Sequence, residues 1–199
     1  MQVHTLTTQS SVRREEILSQ ANVLVIPGWN GSGAGHWQTL WEEQYPNFRR
    51  VEQRNWTRPP RAEWVARIEE DVERTDGPVV LVAHSLGCLA VAHWAAESRR
   101  RQRIRGAFLA APPWLTDSAA SPRELDDFLP MPLSRLPFPA RFVASENDPY
   151  LPLEVASRLA TAWDSDFVNV GKQGHINIAS GHGPWPKGER LLGEFVGRI

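Results

Sequence analysis

Five short apolar runs, rich in residues that favour β-strands, recur along the chain and are separated by longer segments with helical periodicity. Strands that alternate with helices predict parallel βαβ units with right-handed crossovers, in which helices cover both faces of the sheet. The predicted fold class is therefore α/β, a three-layer α/β/α sandwich with a short, mostly parallel sheet. The predicted strands are Asn22–Ile26, Val79–Val82, Ile104–Ala110, Ala140–Ala144 and Asp166–Val170.

The segments between and after these strands carry apolar residues at the spacing of an amphipathic helix. One of them, Leu86–Glu97, is apolar nearly all round, which predicts a helix buried against the centre of the sheet. The long, proline-rich insertion Pro112–Pro139 has one short helical candidate, Pro122–Leu129, and loops of this length are often functional. The other predicted helices are His36–Tyr45, Ala62–Arg74, Pro152–Trp163 and a last one that presents Leu191, Leu192, Phe195 and Val196.

Length and composition narrow the function classes. A chain of 199 residues fits one domain, and we expect an N-terminal extension over 1–21 and a single domain over 22–199. The formal net charge of −1 gives no reason to expect a nucleic acid or an acidic membrane as partner. Cys88 is the only cysteine, and the first twenty residues lack the continuous apolar segment of a signal peptide or spanning helix. We therefore expect a cytoplasmic protein.

A polar residue, Ser85, stands where the strand ending at Val82 runs into the buried helix. The sequence Ala83-His84-Ser85-Leu86-Gly87 is a variant of the G-x-S-x-G nucleophile elbow, with alanine in the first small position. Such a turn needs small residues two places to either side because the strand and helix backbones approach closely there. A serine in this position is also a common helix N-cap, so the five residues alone leave both interpretations open.

A serine nucleophile needs a histidine base and an acid that orients the histidine, and on this fold they follow in the order Ser, acid, His. Asp148 comes after the strand Ala140–Ala144, and His175 comes after the strand Asp166–Val170, which gives that order. The alternatives are a turn aspartate before Pro149 and a structural histidine. Four other histidines are less suitably placed as bases: His36, His84, His93 and His182.

The loop after the first strand, PGWNGSGAGHW, is expected to donate one backbone N–H of an oxyanion hole. We assign the amides of Trp29 and Leu86 to this role and name Asn30, His84 and Trp114 as candidate pocket residues. The glycines of the loop match neither G-x-G-x-x-G nor the P-loop, which argues against nucleotide binding. The basic run Arg99–Arg105 follows a helix end, where cations complement the helix dipole. We favour this interpretation of the run over a phosphate-binding site.

Four separated motifs resemble the small single-domain α/β-hydrolases typified by YdeN and human retinoblastoma-binding protein nine: VLVIPGWNGSGAGHW, VVLVAHSLG, ASENDPYLP and GHINIASGHGPWPKG. The resemblance runs from about Asn22 to the C-terminus. It implies a hydrolase sheet without a large cap domain and a triad that maps onto Ser85, Asp148 and His175. It also implies serine-hydrolase activity, in general on small esters.

The sequence thus predicts a serine hydrolase that cleaves small carboxylic esters through an acyl-enzyme, with no metal and no cofactor. Because histidine ordinarily changes its charge between pH 5 and 8, activity should rise from acidic to neutral pH. Two alternatives stay open. One is a non-catalytic binding or regulatory protein on the same scaffold. The other is a triad enzyme that acts on amides or thioesters.

Overall fold

The computed structural model describes residues 12–118 and 121–199. Six strands of this part of the chain form one sheet, in which every pair of neighbours is parallel and the order is β2-β1-β3-β4-β5-β6. The central strand, β3, is buried along its whole length, as expected for a strand covered on both faces. The strands are β1 (Asn22–Ile26), β2 (Phe48–Arg50), β3 (Val79–His84), β4 (Ile104–Ala110), β5 (Ala140–Ala144) and β6 (Asp166–Asn169).

Helices cover both faces of this sheet, which confirms the α/β three-layer prediction. Side chains of α3, α4 and α5 pack with one face of the sheet, and side chains of α1, α2 and α6 pack with the other. Alternate residues of each strand enter opposite cores, as the period of a strand requires; Leu81 joins the first core and Val82 the second. The helices are α1 (12–20), α2 (Trp37–Gln44), α3 (Arg61–Arg74), α4 (Leu86–Glu97), α5 (Leu153–Ala162) and α6 (Pro186–Val196).

Helix α1 occupies the second half of the segment expected to be an N-terminal extension, and residues 1–11 lie outside the described residues. Leu18 of this helix is fully buried. The Arg14 side chain packs against Gly193 of α6, where a Cβ would lie only 2.5 Å from Arg14 Cγ. Arg14 also pairs with Glu189 at 3.7 Å. The described part of the extension therefore packs on the domain through α1, and the boundary between extension and domain stays a prediction.

Strand β2 and the helical candidate of the insertion also differ from the sequence prediction. Strand β2 was not predicted, because its three residues, Phe-Arg-Arg, contain only one buried apolar side chain and lie at the edge of the sheet. The helical candidate Pro122–Leu129 is a 3-10 helix over Arg123–Phe128, whose side chains Leu125 and Phe128 are buried. Within the described ranges, no helix is long and apolar enough to cross a membrane.

Candidate functional site

The three predicted catalytic residues follow β3, β5 and β6 at the carboxyl edge of the sheet. Because the strands are parallel, the loops that follow them lie along one edge. Ser85 comes directly after β3, Asp148 lies in the loop after β5, and His175 lies in the loop after β6. The structure brings all three side chains together, at the distances given below.

Ser85 has a strained backbone conformation with φ 53° and ψ −127°, in the region that L-residues rarely adopt. Two hydrogen bonds hold this turn: the Ser85 amide donates to the carbonyl of Ala110 at 3.0 Å, and the Cys88 amide donates to the carbonyl of Ser85 at 2.9 Å. The Ser85 side chain makes no capping bond to α4. The helix-cap interpretation of this serine is therefore not supported, and its hydroxyl is free to face another partner.

Gly87 is required by the close approach of α4 to the end of β1. A Cβ at this position would lie 2.3 Å from the carbonyl oxygen of Ile26 and 2.6 Å from that of Pro27. Gly28 has a similar role beside the serine, because a Cβ there would lie 2.7 Å from the Cβ of Ser85. The loop after β1 thus lies in contact with the nucleophile turn.

Gly87→Ala is expected to lower the free energy of unfolding by about 3 kcal/mol or more, because backbone atoms cannot move aside as a flexible side chain would. Gly33→Ala is the matched control, since a Cβ at Gly33 meets nothing within 4 Å. Urea denaturation of both variants and of the wild type measures the difference. Equal stabilities for the two variants would contradict the close approach.

A chain of hydrogen bonds joins the three residues. The Ser85 hydroxyl donates to His175 Nε2 at 2.8 Å. His175 Nδ1 donates to both carboxylate oxygens of Asp148, at 3.0 and 2.9 Å. The side chains of His175 and Asp148 are 8% and 1% exposed, so water is largely excluded from the bond between them. The Tyr150 amide also donates to Asp148 Oδ1 at 2.9 Å, which fixes the carboxylate plane.

Polar residues that the sequence analysis missed tie the acid loop to the base loop. Asn147 Oδ1 accepts from the Gly174 amide at 2.8 Å and from the Ser145 hydroxyl at 3.0 Å. The Ser145 hydroxyl oxygen accepts from the Gln173 amide at 2.9 Å. The two residues that precede His175 are therefore fixed to the strand end that carries Asp148. The only signal for Ser145 and Asn147 in the sequence was their position near Asp148 in ASENDPY. That position does not distinguish them from turn residues.

The other side of the base loop is held by aromatic residues. Trp37 Nε1 donates to the carbonyl of Ile176 at 2.9 Å, and His84 Nε2 donates to the carbonyl of His175 at 2.9 Å. The Tyr150 ring packs edge-on against the His175 ring, with centroids 4.6 Å apart. His84, named above as a pocket residue, therefore both lines the site and supports the backbone of the base.

The loop that carries Trp29 is held by hydrogen bonds to the segment after β2. The indole Nε1 of Trp29 donates to the carbonyl of Thr57 at 2.9 Å, and the Asn30 amide donates to the carbonyl of Trp56 at 3.0 Å. Leu86 is the first residue of α4, where backbone amides have no acceptor within the helix. Trp29 and Leu86 line the same cavity as Ser85. The assignment of their amides to the oxyanion hole stays a prediction.

This site cavity has a volume of about 540 Å³ and contains Ser85 and His175 in its wall. All three candidate pocket residues, Asn30, His84 and Trp114, line it. Among the described residues of its lining there is no Asp, Glu, Lys or Arg. The insertion after β4 supplies much of the apolar wall: Pro113, Trp114, Leu115, Pro122 and Leu125.

Two histidines besides His175 border the cavity and are uncharged at neutral pH. Burial, and then the charge of Arg50, lower the pKa of His36 to about 4. Burial, and then the neighbouring His175, lower the pKa of His84 well below its usual value. The rings form a row, with centroids 4.9 Å apart between His36 and His84 and 5.0 Å apart between His84 and His175. They add polarity to the site without adding charge.

Among the described residues, two further histidines and the basic run form hydrogen bonds or ion pairs within the fold. His93 Nε2 donates to the carbonyl of Phe128, and His182 Nε2 donates to the carbonyl of Gln173. Burial lowers the pKa of both residues. In the basic run, Arg100 forms ion pairs with Glu69 and Glu73. Over 12–118 and 121–199, no cluster of three or more His, Cys, Asp and Glu has the arrangement of a metal site.

Comparison with known proteins identifies the family of the chain. The family model described as serine hydrolase matches residues 23–194. A solved structure described as a YdeN-like hydrolase, from Pectobacterium atrosepticum, is 33% identical and superposes with a TM-score of 0.83, over 96% of this chain and 98% of that one. Among curated proteins, none matches the chain.

Two further solved structures share the fold at lower identity. The ydeN gene product of B. subtilis is 19% identical, with a TM-score of 0.69 over 89% of this chain and 100% of that one. The esterase RhEst1 from Rhodococcus is 13% identical, with a TM-score of 0.63 over 90% of this chain and 91% of that one. The family match over most of the chain and the 33% identical structure agree with the resemblance inferred from the four sequence motifs. The chain therefore belongs to the serine hydrolase family of the α/β-hydrolase superfamily.

Proposed function

We propose that this protein hydrolyses small, uncharged carboxylic esters through a triad of Ser85, His175 and Asp148. The observation that carries the proposal is the hydrogen-bond chain of 2.8 Å from Ser85 Oγ to His175 Nε2 and 2.9 Å from His175 Nδ1 to Asp148. A serine hydroxyl in contact with an oriented imidazole is the arrangement that activates an otherwise weak nucleophile.

In the first half of the reaction, His175 Nε2 takes the proton of Ser85 as the serine oxygen attacks the ester carbonyl. Asp148 holds the imidazole in the tautomer that leaves Nε2 free to accept, and it stabilises the imidazolium that forms. The amides of Trp29 and Leu86 donate to the oxygen of the tetrahedral intermediate. His175 then returns the proton to the departing alcohol, and an acyl-serine remains.

In the second half, water replaces the alcohol. His175 takes one proton of this water while the water oxygen attacks the acyl-serine carbonyl, and the same two amides bind the second tetrahedral intermediate. Collapse of this intermediate breaks the bond to the serine oxygen, which recovers its proton from His175. The carboxylic acid is released and the free enzyme is restored.

The charge of the cavity limits the substrate. Its described lining has no cationic side chain, and the two extra histidines, His36 and His84, are neutral. The Asp148 carboxylate lies behind His175, with one oxygen 2.9 Å from Nδ1. An anionic group on the substrate would therefore lose hydration without gaining a partner, which is costly in a partly enclosed site. An uncharged ester has no charged group to desolvate and so avoids this cost.

Hydrolysis of p-nitrophenyl butyrate is expected to exceed that of p-nitrophenyl hemisuccinate by at least ~10-fold in kcat/KM, because an unpaired carboxylate is disfavoured in the cavity. Both rates are measured from p-nitrophenol release, with Ser85→Ala as the background. Thr116 lines the cavity, so Thr116→Arg should reduce the preference for butyrate by supplying a cation, and Thr116→Gln should not. Equal wild-type kcat/KM values would contradict the proposed neutrality of the site.

A further inference from the structure

Trp114 belongs to the wall of the site cavity and to the wall of a second hollow on the surface. This second hollow, the α5 groove, has a volume of about 360 Å³ and is lined by Trp114, Leu133, Val155, Arg158, Leu159 and Ala162. Of the described residues, Trp114 is the one that lines both the groove and the site cavity. We call Trp114 the partition because the walls of the two spaces share it.

The α5 groove is apolar and accessible. Leu133 is one of the large apolar side chains that are more than half exposed, at 54%. Val155 and Leu159 lie on α5 and pack with the core beneath it. Exposed apolar surface that adjoins a binding cavity is a feature of sites that accept hydrocarbon. The occupant that fits by position is a hydrocarbon arm that extends out of the site cavity.

The backbone of the partition is held without help from the indole. The Trp114 amide donates to the carbonyl of Tyr150 at 2.9 Å, and the Leu115 amide donates to Met131 Sδ at 3.2 Å. Leu115 is itself buried. A substitution at Trp114 therefore removes the ring while these backbone bonds keep the wall in place.

We propose that the Trp114 indole closes the site cavity against the α5 groove and so sets the length of hydrocarbon arm that the enzyme accepts. This inference rests on the proposed ester hydrolysis at Ser85. With the indole present, the arm of a bound ester ends at the ring, and short arms are preferred. With the ring removed, a longer arm continues into the groove and buries its additional methylene groups there.

The test compares p-nitrophenyl octanoate with p-nitrophenyl butyrate. For Trp114→Ala, the ratio of kcat/KM for octanoate to that for butyrate should rise roughly 10- to 100-fold over the wild-type ratio. Trp114→Phe should give an intermediate ratio. Hydrolysis of octyl acetate and of butyl acetate, measured as release of acetic acid, is a parallel comparison. It shows whether the acyl or the alcohol arm enters the groove.

Leu133→Ala separates this role from a general loosening of the fold. Leu133 lines the groove and not the site cavity, so Leu133→Ala alone should leave the wild-type ratio within about twofold, and in the Trp114→Ala background it should reduce the gain. An unchanged ratio in folded Trp114→Ala, for both ester pairs, would overturn the inference while Ser85-dependent hydrolysis stands. Hydrolysis that persists in Ser85→Ala, or is absent from the wild type, would instead remove the proposed function and this inference with it.

Discussion

Ser85→Ala is expected to lower kcat/KM for p-nitrophenyl butyrate by about 10⁶-fold, close to the background that binding and the oxyanion hole alone provide. The hydroxyl that His175 Nε2 faces at 2.8 Å would be absent, so no acyl-serine forms. The fold should persist, because the Ser85 side chain makes no capping bond and the turn is held by backbone hydrogen bonds. Far-ultraviolet circular dichroism and thermal unfolding of the variant provide the control.

Burst kinetics give a second measurement of the same step. If acylation is faster than deacylation, the wild type releases p-nitrophenol in a burst equal to the enzyme concentration, and Ser85→Ala shows none. Residual activity of Ser85→Ala at more than a few per cent of the wild type would mean that another residue performs the reaction.

Asp148→Asn is expected to lower kcat by about 10⁴-fold with little change in structure. The asparagine oxygen would continue to accept from the Tyr150 amide, as Asp148 Oδ1 does at 2.9 Å, so its NH₂ group would face His175 Nδ1. The imidazole would then carry its proton on Nε2, where it cannot accept the proton of Ser85. The loss therefore comes from the wrong tautomer, and it appears in steady-state kcat.

Glu146→Gln is the matched control, because it removes the same charge from the same loop at an exposed position that bonds Asn169 and no triad residue. We expect its kcat to equal that of the wild type. Similar losses in the two variants would indicate a general effect of loop charge and would contradict the orienting role of Asp148.

The sequence predicted those parts of the molecule that have strong local signals. Five of the six described strands have apolar runs, and their alternation with helices is enough to predict parallel connections. The elbow was recognisable because a buried strand, a serine and an all-apolar helix follow one another within a few residues. Asp148 and His175 were predicted from their order along the chain after later strands. Strand β2 has no such signal, since Phe48 is its single buried side chain.

Other parts of the site depend on contacts between distant segments, which a single sequence does not encode locally. The bond between Asn147 and the Gly174 amide and the bond between Trp37 and the Ile176 carbonyl join different loops. Both residues lie within the quoted motifs, but the motifs do not indicate these partners. Trp114 was named for its place in the insertion, but its part in the walls of two hollows is a property of the packed structure. The low pKa of His36 likewise arises from burial.

The most direct test of the central claim is reaction of the purified protein with a fluorophosphonate probe, followed by mass spectrometry to locate the modified residue. The structure predicts one adduct on Ser85, no adduct in Ser85→Ala, and strongly reduced labelling in folded His175→Ala, because Nε2 is the base that activates the serine. A folded wild-type protein that takes up no probe, or that carries it on a different residue, would contradict the assignment of Ser85 as the nucleophile.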